Sequence, residues 1–443
     1  MNEPIDRRRF VSQAVLGSAS LASVSGLVSA QNAAHKGPNG KIVVGVMGLS
    51  RGLRLAQEFA RLPGCEVAYV CDVDRRRVER AVATLEKLTG MAPKGIGDMR
   101  RILDDPAVDA FVCAAPNHWH APATILACAA GKHVYVEKPS SHNPREGELQ
   151  IEAARKYKRL VQVGTQRRSW SELIDIMQKL REGIVGRLRF ARAWYNNNRQ
   201  PIGYGQEEPV PEWLDYEQWQ GPAPRRPYRS NVIHYNWHWF RHWGNGEIGN
   251  NGVHGLDLAR WGMGVDFPER VTSSGGKLFF DDDQEFADTQ LATYEFGDRM
   301  IVWEARNWHR RGFGDDRLHQ AAVGFGASFY GDQGTVVVAG NMIRVFDRED
   351  NLVSEGPTRG LNDFEQSDGA HVVDFLGAIR AGRQPNGAIE VCYPSTLLCQ
   401  LGAIALSTGR ALRCDPATGR IVDDADAMTH WAREYEPGWA LEV

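Results

Sequence analysis

The sequence lacks charge of a dominant sign. Against 52 Lys and Arg stand 55 Asp and Glu, a net charge of −3, so no global field draws in nucleic acid or an anionic membrane. A small molecule is the better expectation for a partner. Cysteine is sparse, and its seven positions (Cys65, Cys71, Cys113, Cys128, Cys392, Cys399 and Cys414) form an odd number without a close pair of the kind that chelates zinc or runs redox chemistry. They read as buried thiols. Beyond residue 30 no stretch reads as long and apolar enough to span a bilayer, and the chain shows neither an internal repeat nor a low-complexity tract. What is present is ordinary globular composition, 42% hydrophobic and 24% charged over 443 residues, a length that predicts two domains.

The first thirty residues follow a different pattern. Asp6-Arg7-Arg8-Arg9-Phe10-Val11 opens a mildly apolar run rich in Ala, Ser, Gly and Val, which closes on Val28-Ser29-Ala30. A charged start, an apolar middle and a small-residue end predict a twin-arginine export signal over 1–30, with an uncleaved membrane anchor as the alternative. Residues 31–40 read as a linker. A periplasmic or otherwise exported protein, handled by the twin-arginine export machinery, is the expectation.

Lys41 to Met47 is a continuous β-branched run, as in a parallel strand covered on both faces. Gly48-Leu49-Ser50-Arg51-Gly52 then turns into an amphipathic helix from about Leu53 to Leu62. Such a turn lets backbone amides and a helix N-terminus meet a pyrophosphate. The glycine fingerprint is irregular, with Ser50 in place of the second glycine and Gly52 off the position of the third. The second strand, Val67 to Cys71, ends at Asp72, 24 residues after Gly48. An acid there can hold both ribose hydroxyls of NAD and repel the extra phosphate of NADP, although Arg75, Arg76 and Arg77 follow and could pair with that phosphate. A strand over Val108 to Ala114 runs into Pro116-Asn117-His118-Trp119-His120, and His133 to Val136 runs into Glu137-Lys138-Pro139. Both loops leave carboxyl ends of strands, where doubly wound sheets bind ligands. Residues 41–165 therefore read as a Rossmann domain for NAD, with NADP less favoured.

The Pro-Asn-His-Trp-His loop, followed about twenty residues later by Glu-Lys-Pro, resembles the Gfo/Idh/MocA oxidoreductases, and the resemblance covers nearly everything after the signal. It implies an α/β chain whose Rossmann domain is followed, over 166–443, by an α+β substrate domain with a large open, mostly antiparallel sheet. Family members use that sheet for substrate and often for homo-oligomer contacts. The alternating runs Leu188 to Tyr195, Thr289 to Phe296, Met300 to Ala305 and Thr335 to Ala339 read as its strands. With the resemblance, the expected cofactor-binding residues are Gly48, Ser50, Arg51, Gly52, Asp72, Asn117, His118, Glu137 and Lys138. In the family the lysine of Glu-Lys-Pro touches the substrate hydroxyl and the nicotinamide ribose, which gives that role to Lys138. An ammonium there would have a lowered pKa and could relay a proton.

The densest chemistry lies in His234 to Trp243 and runs into Gly246 to Asp257. The family pattern sets an Asp four residues before a His on one helix face; here the His is His254 and the Asp position is Asn250. An amide cannot accept a proton, so the base role falls to His254 and Asn250 positions a hydroxyl. Tyr195, His234, Tyr235 and Trp237 complete the expected substrate site. Trp237, Trp239 and Trp243 suit sugar stacking or core equally, while His234, His238 and His242 suit structural hydrogen bonds at least as well as catalysis. No metal is expected, and Asp257 is assigned to fixing the His254 helix. The implied activity is NAD-dependent oxidation at a hydroxyl of a sugar, polyol or glycoside, with a bound, internally recycled cofactor. An NAD-dependent glycoside hydrolase working by transient oxidation and elimination is one alternative, and a non-catalytic sugar-binding protein is another.

Overall fold

The computed structural model describes residues 40–310, 324–340, 342–357 and 364–443. The expected export signal and nearly all of the linker lie outside the described residues. Strands β1 (Ile42–Met47), β2 (Cys65–Cys71), β3 (Lys94–Ile96), β4 (Ala110–Cys113), β5 (His133–Val136) and β6 (Val161–Val163) form one sheet in the order β3-β2-β1-β4-β5-β6. Every pairing in it is parallel. The helix after β1 begins at Arg51, two residues before the expected start, because the Gly48 carbonyl already accepts the Gly52 N–H at 3.0 Å. The next helix, Arg75–Thr89, is set by the Asp74 side chain, which accepts from the Arg76 N–H, and by Gly90 at φ 78°.

One face of this sheet is closed from far downstream. Val372, Phe375, Leu376 and Ile379 of the helix Phe364–Ala381 share a buried cluster with Val44, Leu55, Phe59 and Tyr135. Phe375 meets Phe59 edge to face at 6.2 Å.

The second sheet has ten strands: β7 (Leu188–Asn196), β8 (Arg270–Gly276), β9 (Thr289–Phe296), β10 (Arg299–Arg306), β11 (Phe325–Gly331), β12 (Gly334–Ala339), β13 (Met342–Asp347), β14 (Leu352–Pro357), β15 (Leu412–Cys414) and β16 (Ile421–Val422). Only β7 and β10 pair in parallel, so the sheet is mostly antiparallel, as the family resemblance implied. In β9, Gln290, Ala292, Tyr294 and Phe296 are buried in strict alternation, and the Tyr294 hydroxyl donates to the Leu398 carbonyl at 2.8 Å. That carbonyl belongs to the helix Ile389–Thr408, which corrects one expectation: by length and composition it is apolar enough to cross a membrane. Pro394 and Gln400 interrupt its run, and most of its residues are buried in the core.

Between β7 and the helix Val253–Met263 the chain builds a small satellite core of Leu214, Tyr216, Trp219, Trp239, Phe240 and Trp243. It is stitched to the end of β2: Leu214 bridges Asp74, and the Arg75 N–H donates to the Trp213 carbonyl. All seven cysteines are free, and six are buried.

Candidate active site

At the carboxyl ends of β1, β2, β4 and β5 lies a cavity of about 470 Å³, the position a doubly wound sheet reserves for ligands. One wall carries Gly48, Ser50, Arg51, Asp72, Asn117, Glu137 and Lys138; the other carries Tyr195, His234, Tyr235, Trp237, Asn250 and His254. Two expected cofactor residues are not on it. His118 is fully buried and turns Nε2 to the Trp219 carbonyl at 2.9 Å. Gly52 packs instead: a Cβ there would sit 3.1 Å from Val46 and 3.3 Å from Ala114, so it permits close helix-to-strand approach.

The dinucleotide end fits its expected occupant. Gly48 has φ 86°, and a Cβ would lie 2.5 Å from the Ala114 carbonyl, so only glycine suits the turn. Ser50 makes no side-chain cap, and the first helical turn carries no acid, which leaves that N-terminus open to an anion. The Asp72 carboxylate accepts from the Leu49 N–H at 2.7 Å and from the Asp74 N–H at 2.9 Å. Burial pushes its pKa up, partly opposed by those two bonds. Arg77 lines the same end and lies 3.7 Å from Asp74.

Toward the second wall, Arg51 donates to Glu137 at 2.9 Å and to Asp368 at 2.6 and 2.8 Å, tying the glycine turn to the downstream helix. Burial works against the Glu137 carboxylate, but Arg51 and Lys138 outweigh it and hold its pKa below the usual value. Lys138 donates Nζ to the Asn250 carbonyl at 2.6 Å, and burial lowers its pKa although Glu137 opposes the shift. His254 is kept neutral well below its ordinary range, first by burial and then by Arg167, Lys138 and Arg51. Its ring nitrogens make no hydrogen bond among the described residues, which leaves them for a ligand. Asp257 stands one turn on, buried, and takes Arg168 at 2.7 and 2.8 Å and the Ser395 hydroxyl at 2.6 Å. It anchors the helix of His254 and does not line the cavity.

His234 lies 3.0 Å from Asp74, His238 donates Nδ1–H to the Tyr235 carbonyl, and His242 donates Nε2–H to that of Pro224. Trp239 and Trp243 are core; Trp237 lines the cavity. Among the described residues no group of three or more His, Cys, Asp or Glu could hold a metal ion. Gln166, Arg199, Asn251, Trp119, His120 and Trp219 also line the cavity and were not foreseen. Trp119 and His120 had a signal, as members of the Pro-Asn-His-Trp-His loop, and Asn251 had one as the neighbour of Asn250.

A family model described as the oxidoreductase family, NAD-binding Rossmann fold, matches residues 41–165, and its C-terminal alpha/beta companion matches 192–301, together more than half of the chain. The chain belongs to the Gfo/Idh/MocA oxidoreductase family. Proteins similar to it include a glycosyl hydrolase family 109 protein of Shewanella putrefaciens, 27% identical over 43% of this chain and 46% of that one. Another is inositol 2-dehydrogenase 4 of Saccharopolyspora erythraea, 31% identical over 37% of this chain and 47% of that one. The chain spans about half the length of the curated relatives it matches. A levoglucosan dehydrogenase solved with NADH and levoglucosan shares the fold, with a TM-score of 0.65 at 17% identity over 84% of this chain and 99% of that one.

Proposed function

We propose that this chain is an NAD-dependent oxidoreductase acting on a hydroxyl of a sugar, polyol or glycoside. One observation carries the reading: a single cavity joins the Gly48 turn and Asp72 to Lys138, Asn250 and His254. The nicotinamide, when bound, supplies the hydride acceptor for a carbinol carbon. Asp72 holds the ribose, and its charge favours NAD over NADP. Lys138, fixed by the Asn250 carbonyl, holds the reacting oxygen and moves its proton at Nζ. His254, neutral and with free ring nitrogens, is the base, while Asn250 orients a hydroxyl. The polyol and sugar substrates in the names of the inositol and levoglucosan dehydrogenases support the substrate class. We also assign self-association to the open sheet, supported by Leu291 and Tyr330, which stay exposed; light scattering should then give a mass above 49.4 kDa.

A second reading, glycoside cleavage by transient oxidation and elimination, is supported by Asn250 at the family's Asp position and by the glycosyl hydrolase name among the relatives. Here His254 would take the proton from the C–H beside a substrate ketone, and Lys138 would hold the ketone oxygen. Both readings extend to an exported protein whose cofactor stays bound, because no free dinucleotide pool is at hand outside the cytoplasm. The satellite core stitched over Asp74 and the motif Arg7-Arg8 support this extension. The test uses nitrophenyl glycosides and pairs of free sugars in heavy water without added NAD. Nitrophenol release with deuterium beside the oxidised carbon supports elimination, and hydride exchange between free sugars alone supports the oxidoreductase. A need for stoichiometric added NAD refutes the closed cycle.

A further inference from the structure

One turn of π-helix, Ile248–Gly252, precedes the helix Val253–Met263, a local form found often at functional sites. It sets Asn250, Asn251 and His254 on the cavity wall. Behind them lies Glu247, 2% exposed and not itself on the wall. One of its oxygens, Oε1, accepts from Asn251 Nδ2 and, at a long 3.5 Å, from Asn250 Nδ2. Arg199 binds the same carboxylate with Nε at 3.1 Å and Nη2 at 3.3 Å. Its Nη1 donates to the Tyr235 hydroxyl at 2.8 Å and its Nη2 to that of Tyr195 at 3.3 Å, while Asn197 Nδ2 donates to Tyr195 at 2.7 Å.

Paired with a guanidinium, the Glu247 carboxylate only accepts hydrogen bonds, and the guanidinium only donates them. Both amides must therefore turn NH2 inward and Oδ1 outward. Both tyrosine oxygens accept from Arg199, which leaves their own hydrogens for a ligand. We propose that Glu247, acting partly through Arg199, is the positioning residue that sets the hydrogen-bond polarity of the substrate wall, with acceptors at Asn250 and Asn251 and donors at Tyr195 and Tyr235. Asn250 then offers an acceptor oxygen where the family pattern has a carboxylate, without the negative charge. Burial, with the Glu247 charge second, pushes the Tyr195 pKa up to about 12, which keeps its hydroxyl a donor. The matching ligand is a neutral ring with hydroxyl hydrogens facing the amides and oxygen lone pairs facing the tyrosines. This inference deepens the reading of the site as a sugar or polyol site and rests on it.

Two measurements separate the inference from that reading. In the first, the wild type and Glu247→Gln are labelled with nitrogen-15 asparagine without any substrate. The side-chain amide hydrogens of Asn250 and Asn251 should exchange slowly with water in the wild type and rapidly in the variant. Rapid exchange in the wild type overturns the inference whatever the protein turns over. In the second, kcat/KM is measured on myo-inositol, levoglucosan and their monodeoxy analogues. Glu247→Gln should lose about 10- to 100-fold on the parent compounds, as expected for two or so misdirected hydrogen bonds, and should discriminate little between parent and deoxy forms. An equal loss on both forms means that Glu247 is only structural, which also overturns the inference. If Glu247→Gln does not fold, Glu247→Asp keeps the charge and should show a smaller loss of the same kind. Absence of turnover by the wild type on every probe counts against the proposed function, and the exchange measurement still decides the polarity.

Discussion

Asp72→Ser tests the cofactor assignment most directly. The wild-type carboxylate has two oxygens, each already fixed by one backbone N–H at 2.7 or 2.9 Å and each with a lone pair left for ribose. Serine replaces at most one of the two charge-assisted bonds, and each such bond contributes about 1.5–3 kcal/mol. At about 1.4 kcal/mol per tenfold, NAD should bind about 10- to 150-fold more weakly. The loss for NADP should be smaller or reversed, because the repelling charge is gone and Arg77, on the same cavity wall, loses a competitor for the phosphate. The assay is calorimetric titration of dinucleotide-stripped protein with NAD and NADP at one ionic strength, repeated with Asp72→Ser/Arg77→Ala to remove the arginine's contribution. Burial raises the Asp72 pKa, so protonation sets in at a higher pH than for an ordinary carboxylate. The wild-type affinity for NAD should accordingly fall as pH is lowered, and the variant should not follow. Tighter wild-type binding of NADP, or affinities within about threefold of wild type in the variant, would refute the reasoning.

Lys138→Ala and His254→Ala should each lower turnover about 100- to 10,000-fold with the fold intact; near-normal rates in both would remove them from the chemistry. Because the His254 pKa is depressed by burial and by neighbouring cations, the acid limb of kcat/KM that it sets should lie well below the usual histidine range. Arg167→Gln removes one of those cations and should shift the limb upward, and a stationary limb would show that the two are not coupled. Asp257→Asn breaks a buried pair with Arg168, 3% and 4% exposed, and should cost about 3–5 kcal/mol in denaturant melts. A change near zero would remove its anchoring role. Gly48→Ala, strained at φ 86° and 2.5 Å from a carbonyl, should abolish dinucleotide binding, as read by cofactor-induced thermal stabilisation.

Much of the first sheet was legible because β1 and β4 are unbroken apolar runs and β5 is apolar after His133, and runs of that kind belong to parallel strands covered on both faces. The alternation in β9 was equally readable. Loops leaving strand ends carried Asp72, Asn117 and Lys138 to the cavity because topology alone puts such loops together. His118 and Gly52 were misassigned for one reason: neighbours in a motif share a backbone position but not a side-chain direction. His118 turns into the satellite core and Gly52 onto β1. Arg199 and Trp219 went unseen because Arg199 lies in irregular chain after β7 and Trp219 in a single short helix, Tyr216–Gln220, too brief for periodicity to report which way a residue faces. Glu247 has no motif of its own, and its role follows only from bonds made on folding.

The helix Phe364–Ala381 has a further consequence, for biosynthesis. It seals the sheet that begins at Ile42, so more than 300 residues must leave the ribosome before that apolar face has its cover. Contacts of such long sequence separation close late and slowly. The nascent N-terminal half should therefore depend on a holding chaperone through most of translation, and residues 41–165 expressed alone should aggregate even though they include all six strands of their sheet.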